Sequence, residues 1–136
     1  MNIAQYMAFR KDVTVAIFSL EMSKVQLAKR LVAMNSKVDS QRIRIGELED
    51  DEWAKITESS IILGESTLYI DDTGSISIND LRSKCRKLKM EKGLGLIIID
   101  YLQLMSGNSG SKNISRQQEI SDISRSLKSL ARELDC

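Results

Sequence analysis

Apolar and polar residues alternate along this chain in two rhythms. Residues 13–20, VTVAIFSL, are a continuous apolar, β-branched run, the pattern of a strand buried on both faces of a sheet. LYID (68–71) is a shorter run of the same kind, and GLIIIDYLQLM (95–105) is a third. Elsewhere the apolar residues recur at helical spacing. Leu27, Leu31 and Met34 make one stripe, Ile78, Leu81, Cys85 and Leu88 a second, and Ile120, Ile123, Leu127, Leu130 and Leu134 a third. Residues 2–10 read as turns of a helix. A further helix, from about Asp51 to Leu63, is predicted to turn Trp53 and Ile56 inward. The acidic segment before it, DSQRIRIGELEDDEW, reads as a connector with a short extended piece at Ile43 to Ile45.

Capping residues punctuate these elements. Ser23 with Gln26, and Ser115 with Gln118, have the spacing of a capping box. Ser77 is placed to cap the second striped helix, and Gly93 to stop it. SGNSGSKN (106–113) has no apolar residue and reads as a mobile loop. Strands that alternate with helices and are apolar throughout predict an α/β fold: three layers, with a parallel sheet covered on both faces.

Composition narrows the class. The chain has 136 residues, 42% hydrophobic and 29% charged, which fits one domain with a real core and no membrane span. No secretion signal opens it, so a cytoplasmic location is expected. With 20 basic and 19 acidic residues, net charge implies nothing about nucleic acid. There is no histidine, which excludes Ser-His-Asp and Cys-His mechanisms within these residues. The two cysteines, Cys85 and Cys136, read as reduced thiols rather than a disulfide or zinc site. Proline is absent, and the chain starts and stops in helical patterns; both suggest a piece of something longer.

The chemistry concentrates in carboxylates. Each apolar strand runs into acid: Glu21 after the first, Asp71 and Asp72 after the second, Asp100 late in the third. In parallel α/β sheets ligands bind beyond the carboxyl ends of the strands, so these acids are expected at a site and not in the core. Four apolar residues followed by Asp is the Walker B pattern. An acid there holds magnesium, a hard ion that prefers oxygen and keeps several waters. A second acid, free of the metal, can orient or deprotonate the water that attacks a γ-phosphate. For Asp71 and Asp72 the plainer reading is preferred: they cap the turn DDTGS.

Four segments, FSLEMS (18–23), YIDDT (69–73), LGLIIIDYLQLM (94–105) and RQQEISDISRSLKSLAREL (116–134), resemble the bacterial replicative helicases of the DnaB family, in the family's order and over nearly the whole chain. The resemblance implies a RecA-like ATPase domain from a homohexameric ring that moves on single-stranded DNA, uses ATP and Mg2+, and meets a primase and a helicase loader. It implies Glu21 as the catalytic glutamate and Asp100 as the Walker B acid that holds magnesium through water. It also places loop 106–113 and the start of the next helix toward the ring's channel, which makes Lys112 and Arg116 candidates for phosphate contact. The basic residues Arg82, Lys84, Arg86, Lys87 and Lys89 lie opposite an apolar stripe and read as a solvated face.

The family's GKT or GKS phosphate loop is not among these residues, nor are the later polar sensor and the arginine that reaches a neighbouring subunit. Residues 1–136 are therefore expected to form one partial RecA-like domain, inactive by itself. Two other readings stay open at this level. One is a different RecA-type ATPase, for example of recombination, against which the RQQEI helix argues. The other is a receiver-type signalling domain that binds magnesium at strand-end acids. A receiver would carry its acidic pair near the N-terminus, whereas Asp71 is mid-chain.

Overall fold

A computed structural model describes residues 1–106 and 115–136 of the chain. Three parallel strands form one sheet in the order β2-β1-β3: β1 (Thr14–Ser19) in the centre, β2 (Leu68–Asp71) on one side, β3 (Leu94–Asp100) on the other. Six helices accompany them: α1 (Asn2–Arg10), α2 (Lys24–Ser36), α3 (Ser40–Ile45), α4 (Asp50–Glu65), α5 (Ile78–Lys92) and α6 (Arg116–Leu134). Among the described residues no helix is long and apolar enough to cross a membrane.

The central strand explains the apolar run. All six residues of β1 are buried, and they divide between the two faces with the period of two that a strand imposes. Ala16 and Phe18 join a core with Leu81 and Cys85 of α5 and with Ile123, Leu130 and Leu134 of α6. Val15 and Ile17 join the opposite core with Ala4 and Ala8 of α1 and Leu27 of α2. The three-layer α/β architecture expected from the pattern is thus present. β2 and β3 flank β1 and are only partly buried.

One irregularity fixes the register of β3. Thr14 pairs with Leu94, but Val15 pairs with Leu96, so Gly95 has no partner across the ladder and forms a bulge. A Cβ on Gly95 would lie 2.7 Å from Val13 Cγ1, a distance that non-bonded carbon atoms do not tolerate, so only glycine fits there without a shift. The bulge lets Leu94 and Ile97, three residues apart, face the same core. Beyond it the ladder is regular to its last pair, Ser19 with Asp100.

The predicted caps hold in position. Ser23 and Gln26 form a reciprocal capping box, Ser77 and Ser115 accept the backbone N–H three residues on, the box expected at Ser115 being present only in that half, and Gly93 ends α5 with a left-handed φ of 73°. Three local expectations do not. Ile43 to Ile45 is the end of helix α3: Asp39 caps it by accepting the Gln41 N–H at 2.6 Å, and Gly46, with φ 85°, closes it. Trp53 is 52% exposed, whereas Ile56 is half-buried as expected and Ser59 is buried where α4 packs on α2. Ser59 donates to the carbonyl of Val32 at 3.2 Å at that contact. Finally, β3 stops at Asp100, and Leu102–Leu104 form a 3-10 turn. The turn lets Leu102, Leu104 and the buried Met105 pack on the α5–α6 core instead of running on as strand.

Candidate active site

Because the strands are parallel and in register, their acids emerge at one edge. Phe18 is level with Asp71 and Ser19 with Asp100, on neighbouring strands. Glu21 stands two residues past Ser19, in the short segment that joins β1 to α2. The backbone N–H of Leu20 donates to the carbonyl oxygen of Asp100 at 2.8 Å, which carries the β1–β3 pairing one residue beyond the ladder, up to the neighbour of Glu21.

The four acids fall into two pairs that differ in what they touch. Glu21 and Asp100 are exposed, and neither carboxylate has a hydrogen-bond or ion-pair partner among the described residues. Asp71 and Asp72 are half-buried and engaged. Asp71 Oδ2 takes a short ion pair from Lys84 Nζ at 2.5 Å, and its Oδ1 accepts the Thr73 N–H at 3.0 Å. Burial pushes the Asp71 carboxyl up, but the bonds from Lys84 and Thr73 outweigh it and hold the group below its ordinary value. Asp71 does cap its own turn, as expected. Asp72 instead reaches across to accept the N–H of Lys24, the first residue of α2, at 2.9 Å.

The segment bearing Glu21 is held from within as well. Ser19 is 1% exposed, and its hydroxyl accepts the Met22 N–H at 3.2 Å while donating to the Met22 carbonyl at 2.7 Å. Sequence reasoning missed Ser19 and the reach of Asp72. The signal for Ser19 was its place as the last polar residue before the acid.

The donor set suits a hydrated hard ion more than a protein cage. Among the described residues no three Asp, Glu or Cys side chains gather closely enough to enclose a metal. A single free carboxylate at a strand end is what magnesium, which retains water, requires when a nucleotide supplies further oxygens. Asp100 fits that description; Asp71, tied to a lysine, does not.

The two candidates for nucleic acid stand apart from this edge. Lys112 lies outside the described residues, as does most of the loop expected to be mobile. Arg116 is half-exposed, but its guanidinium is committed within the chain. It ion-pairs with Glu119 and donates to the carbonyl oxygens of Gln103 and Met105, the latter at 3.2 Å, clasping the start of α6 to the segment that leaves β3. Three residues of the basic face of α5 are likewise occupied: Lys84 by Asp71, Arg86 by Glu133, Lys89 by the carbonyls of Leu94 and Asp135.

An open parallel sheet with helices on both faces, carrying free acids at the carboxyl ends of two adjacent strands, is the plan of a ligand-binding α/β domain. The chain belongs to the DnaB-like helicase C-terminal domain family, which matches residues 1–136. It is 51% identical over 135 residues to the replicative DNA helicase DnaB of Geobacillus stearothermophilus, covering 99% of this chain and 30% of that protein. It is 50% identical over 134 residues to the replicative DNA helicase DnaC of Bacillus subtilis (strain 168), covering 98% of this chain and 29% of the relative. The chain thus spans about a third of the length of the curated relatives it matches. In three dimensions it matches a DnaB-like replicative helicase, described with its interactions with primase, at a TM-score of 0.88 and 34% identity over 97% of this chain and 32% of the other. A solved ATPase domain matches with the same score, identity and coverage of this chain, and 47% of its own.

Proposed function

We propose that this chain is the acid-bearing part of a RecA-like motor domain in an ATP-dependent replicative DNA helicase, a homohexameric cytoplasmic ring working on single-stranded DNA with a primase and a loader as partners. The observation that carries the reading is the contrast among the strand-end acids: two are locked into the fold, and the two on adjacent strands, Glu21 and Asp100, are free. The relatives' names and the matched ATPase domain supply the substrate class.

In this reading Asp100 would hold magnesium, and the ion would supply charge neutralisation on the nucleotide phosphates. Glu21 accepts a hydrogen bond from the attacking water and takes its proton as the water oxygen bonds to the γ-phosphorus and the bond from that phosphorus to the bridging oxygen breaks, with ADP as the leaving group. A base of this kind contributes roughly 10²–10⁴ in rate. The consecutive backbone N–H groups and lysine that cradle phosphates are not drawn from these residues, so the two acids act on a nucleotide held elsewhere in the assembled site.

The test is a phosphate-release and duplex-unwinding assay on the full-length gene product, with magnesium and single-stranded DNA. ATP turnover that single-stranded DNA stimulates, and that Glu21→Gln removes, is the expected result. Unwinding without ATP, or turnover indifferent to Glu21→Gln, overturns the reading.

A further inference from the structure

Among the described residues the Glu21 carboxylate has no hydrogen-bond or ion-pair partner, so its position depends on the backbone it stands on. That backbone is tied at three points. Leu20 is bonded to the Asp100 carbonyl, and the Ser19 hydroxyl closes the turn onto Met22. These ties fix where the segment leaves β1 and how it curves. The end at which it enters α2 is fixed by a third tie, which comes from a different strand: Asp72 Oδ2 on the Lys24 N–H.

Lys24 is the first residue of α2, where backbone N–H groups have no partner within the helix. The capping box satisfies two other N–H groups of this end: Ser23 Oγ takes the Gln26 N–H, and Gln26 Oε1 takes the Ser23 N–H at 3.0 Å. The Lys24 N–H is left over, and a carboxylate there also meets the positive end of the helix dipole. Asp72 is itself anchored, because its neighbour Asp71 is bound to Lys84 of α5 and to Thr73. A continuous chain of bonds therefore runs from α5, through the end of β2, to the residue three places after Glu21.

We propose that Asp72 is a positioning residue for Glu21: its carboxylate fixes the start of α2 against β2 and so holds the free acid at the distance from the site that water activation needs. The inference rests on the role of Glu21 given above. A misplacement of about 1 Å costs up to ~10²-fold in rate, so a tether with no substrate contact can control turnover.

The experiment compares Asp72→Ala, Asp72→Asn, Glu21→Gln and the Asp72→Ala/Glu21→Gln double variant in the full-length gene product, reading kcat and KM together with the Kd for ATP. Asp72→Ala should lower kcat roughly 10–100-fold with ATP Kd within about twofold of the parent. Asp72→Asn, whose amide oxygen still accepts the Lys24 N–H, should stay within about threefold. In the Glu21→Gln background Asp72→Ala should remove nothing further, because the group it positions is already gone. Parental kcat in Asp72→Ala, or an equal fractional loss with and without Glu21, overturns the proposal. If Asp72→Ala does not fold, Asp72→Glu decides, since its longer arm displaces the acceptor: reduced kcat at unchanged ATP Kd supports the tether, and parental kcat overturns it. Should Glu21→Gln itself keep parental turnover, the role of Glu21 falls. Should Glu21→Gln abolish turnover while Asp72→Ala is silent, the tether alone falls.

Discussion

The backbone N–H of Leu20 is bonded at 2.8 Å to the carbonyl of Asp100, so the residue before one free acid is joined to the residue that bears the other. Glu21 and Asp100 share a backbone frame, but in the proposed mechanism they meet different parts of the reaction, and on that proposal their variants should part accordingly. Glu21→Gln keeps the side-chain shape and loses the base. ATP turnover should drop roughly 10²–10⁴-fold while nucleotide affinity is retained. Asp100→Asn removes a charge from the hydration shell of magnesium, and the half-saturating magnesium concentration for turnover should rise. Magnesium titrations of both variants in the full-length gene product check this; the reverse pattern would exchange the two roles.

Gly95→Ala should destabilise the domain by about 1–3 kcal/mol, the usual range for overpacking. The added Cβ would meet the β-branched Val13 at 2.7 Å, and Val13 has few alternative rotamers. Urea unfolding gives the value. Val13→Ala in the same chain should return part of the loss, which a purely conformational glycine effect would not.

The Lys84–Asp71 pair should be visible in acid. The folded-state carboxyl of Asp71 lies below its ordinary value of 3.8, so its contribution is complete above that pH and disappears as pH falls through the lower folded value. Lys84 is 44% exposed and Asp71 27%, which leaves a contribution of about 0.2–1 kcal/mol after screening. The stability difference between the parent and Asp71→Asn should be constant near neutral pH and shrink below pH ~4. Denaturant melts across that range measure it.

The two thiols should differ in reactivity. Cys85 has no exposed surface, and burial, with a smaller contribution from the nearby Cys136, pushes its thiol up to about 12. At pH 8 its thiolate fraction is on the order of 10⁻⁴. Cys136 is exposed, although partial burial raises its thiol too. Iodoacetamide at pH 8 should therefore label Cys136 first, and Cys85 only after unfolding; peptide mass spectrometry distinguishes the sites.

What was legible in the sequence follows from how each signal arises. The run VTVAIFSL identifies a central strand because both of its faces must be apolar. The caps at Ser23, Ser77, Gly93 and Ser115 are local chemistry and appear where expected. The face of α4 was only partly legible: Ile56 is half-buried as expected, but the face also carries Ser59, bonded to α2, and Glu52, paired with Arg42 of α3, whose partners the apolar pattern does not announce. Likewise Glu21 and Asp100 could be picked out as strand-end acids, but their freedom, and the commitment of Asp71 and Asp72, depend on partners 13 and 48 residues away. Arg116 illustrates the same limit: its charge suggested a phosphate, while the fold gives it backbone carbonyls.

The unpaired glycine at the base of β3 acts as a phase adjuster. Six residues of β1 are matched against seven of β3, and the spare one is used up at the start. Were the ladder regular from Thr14 and Leu94 onward, Ser19 would sit beside Ile99. Asp100 would then project one residue further along, about 3.3 Å, and from the opposite face of the sheet. A β3 that paired Gly95 regularly would make a tidier sheet with a longer-reaching acid aimed the wrong way. The alignment of the two strand ends is thus decided some 17 Å away, at the other end of the sheet, by a residue with no side chain.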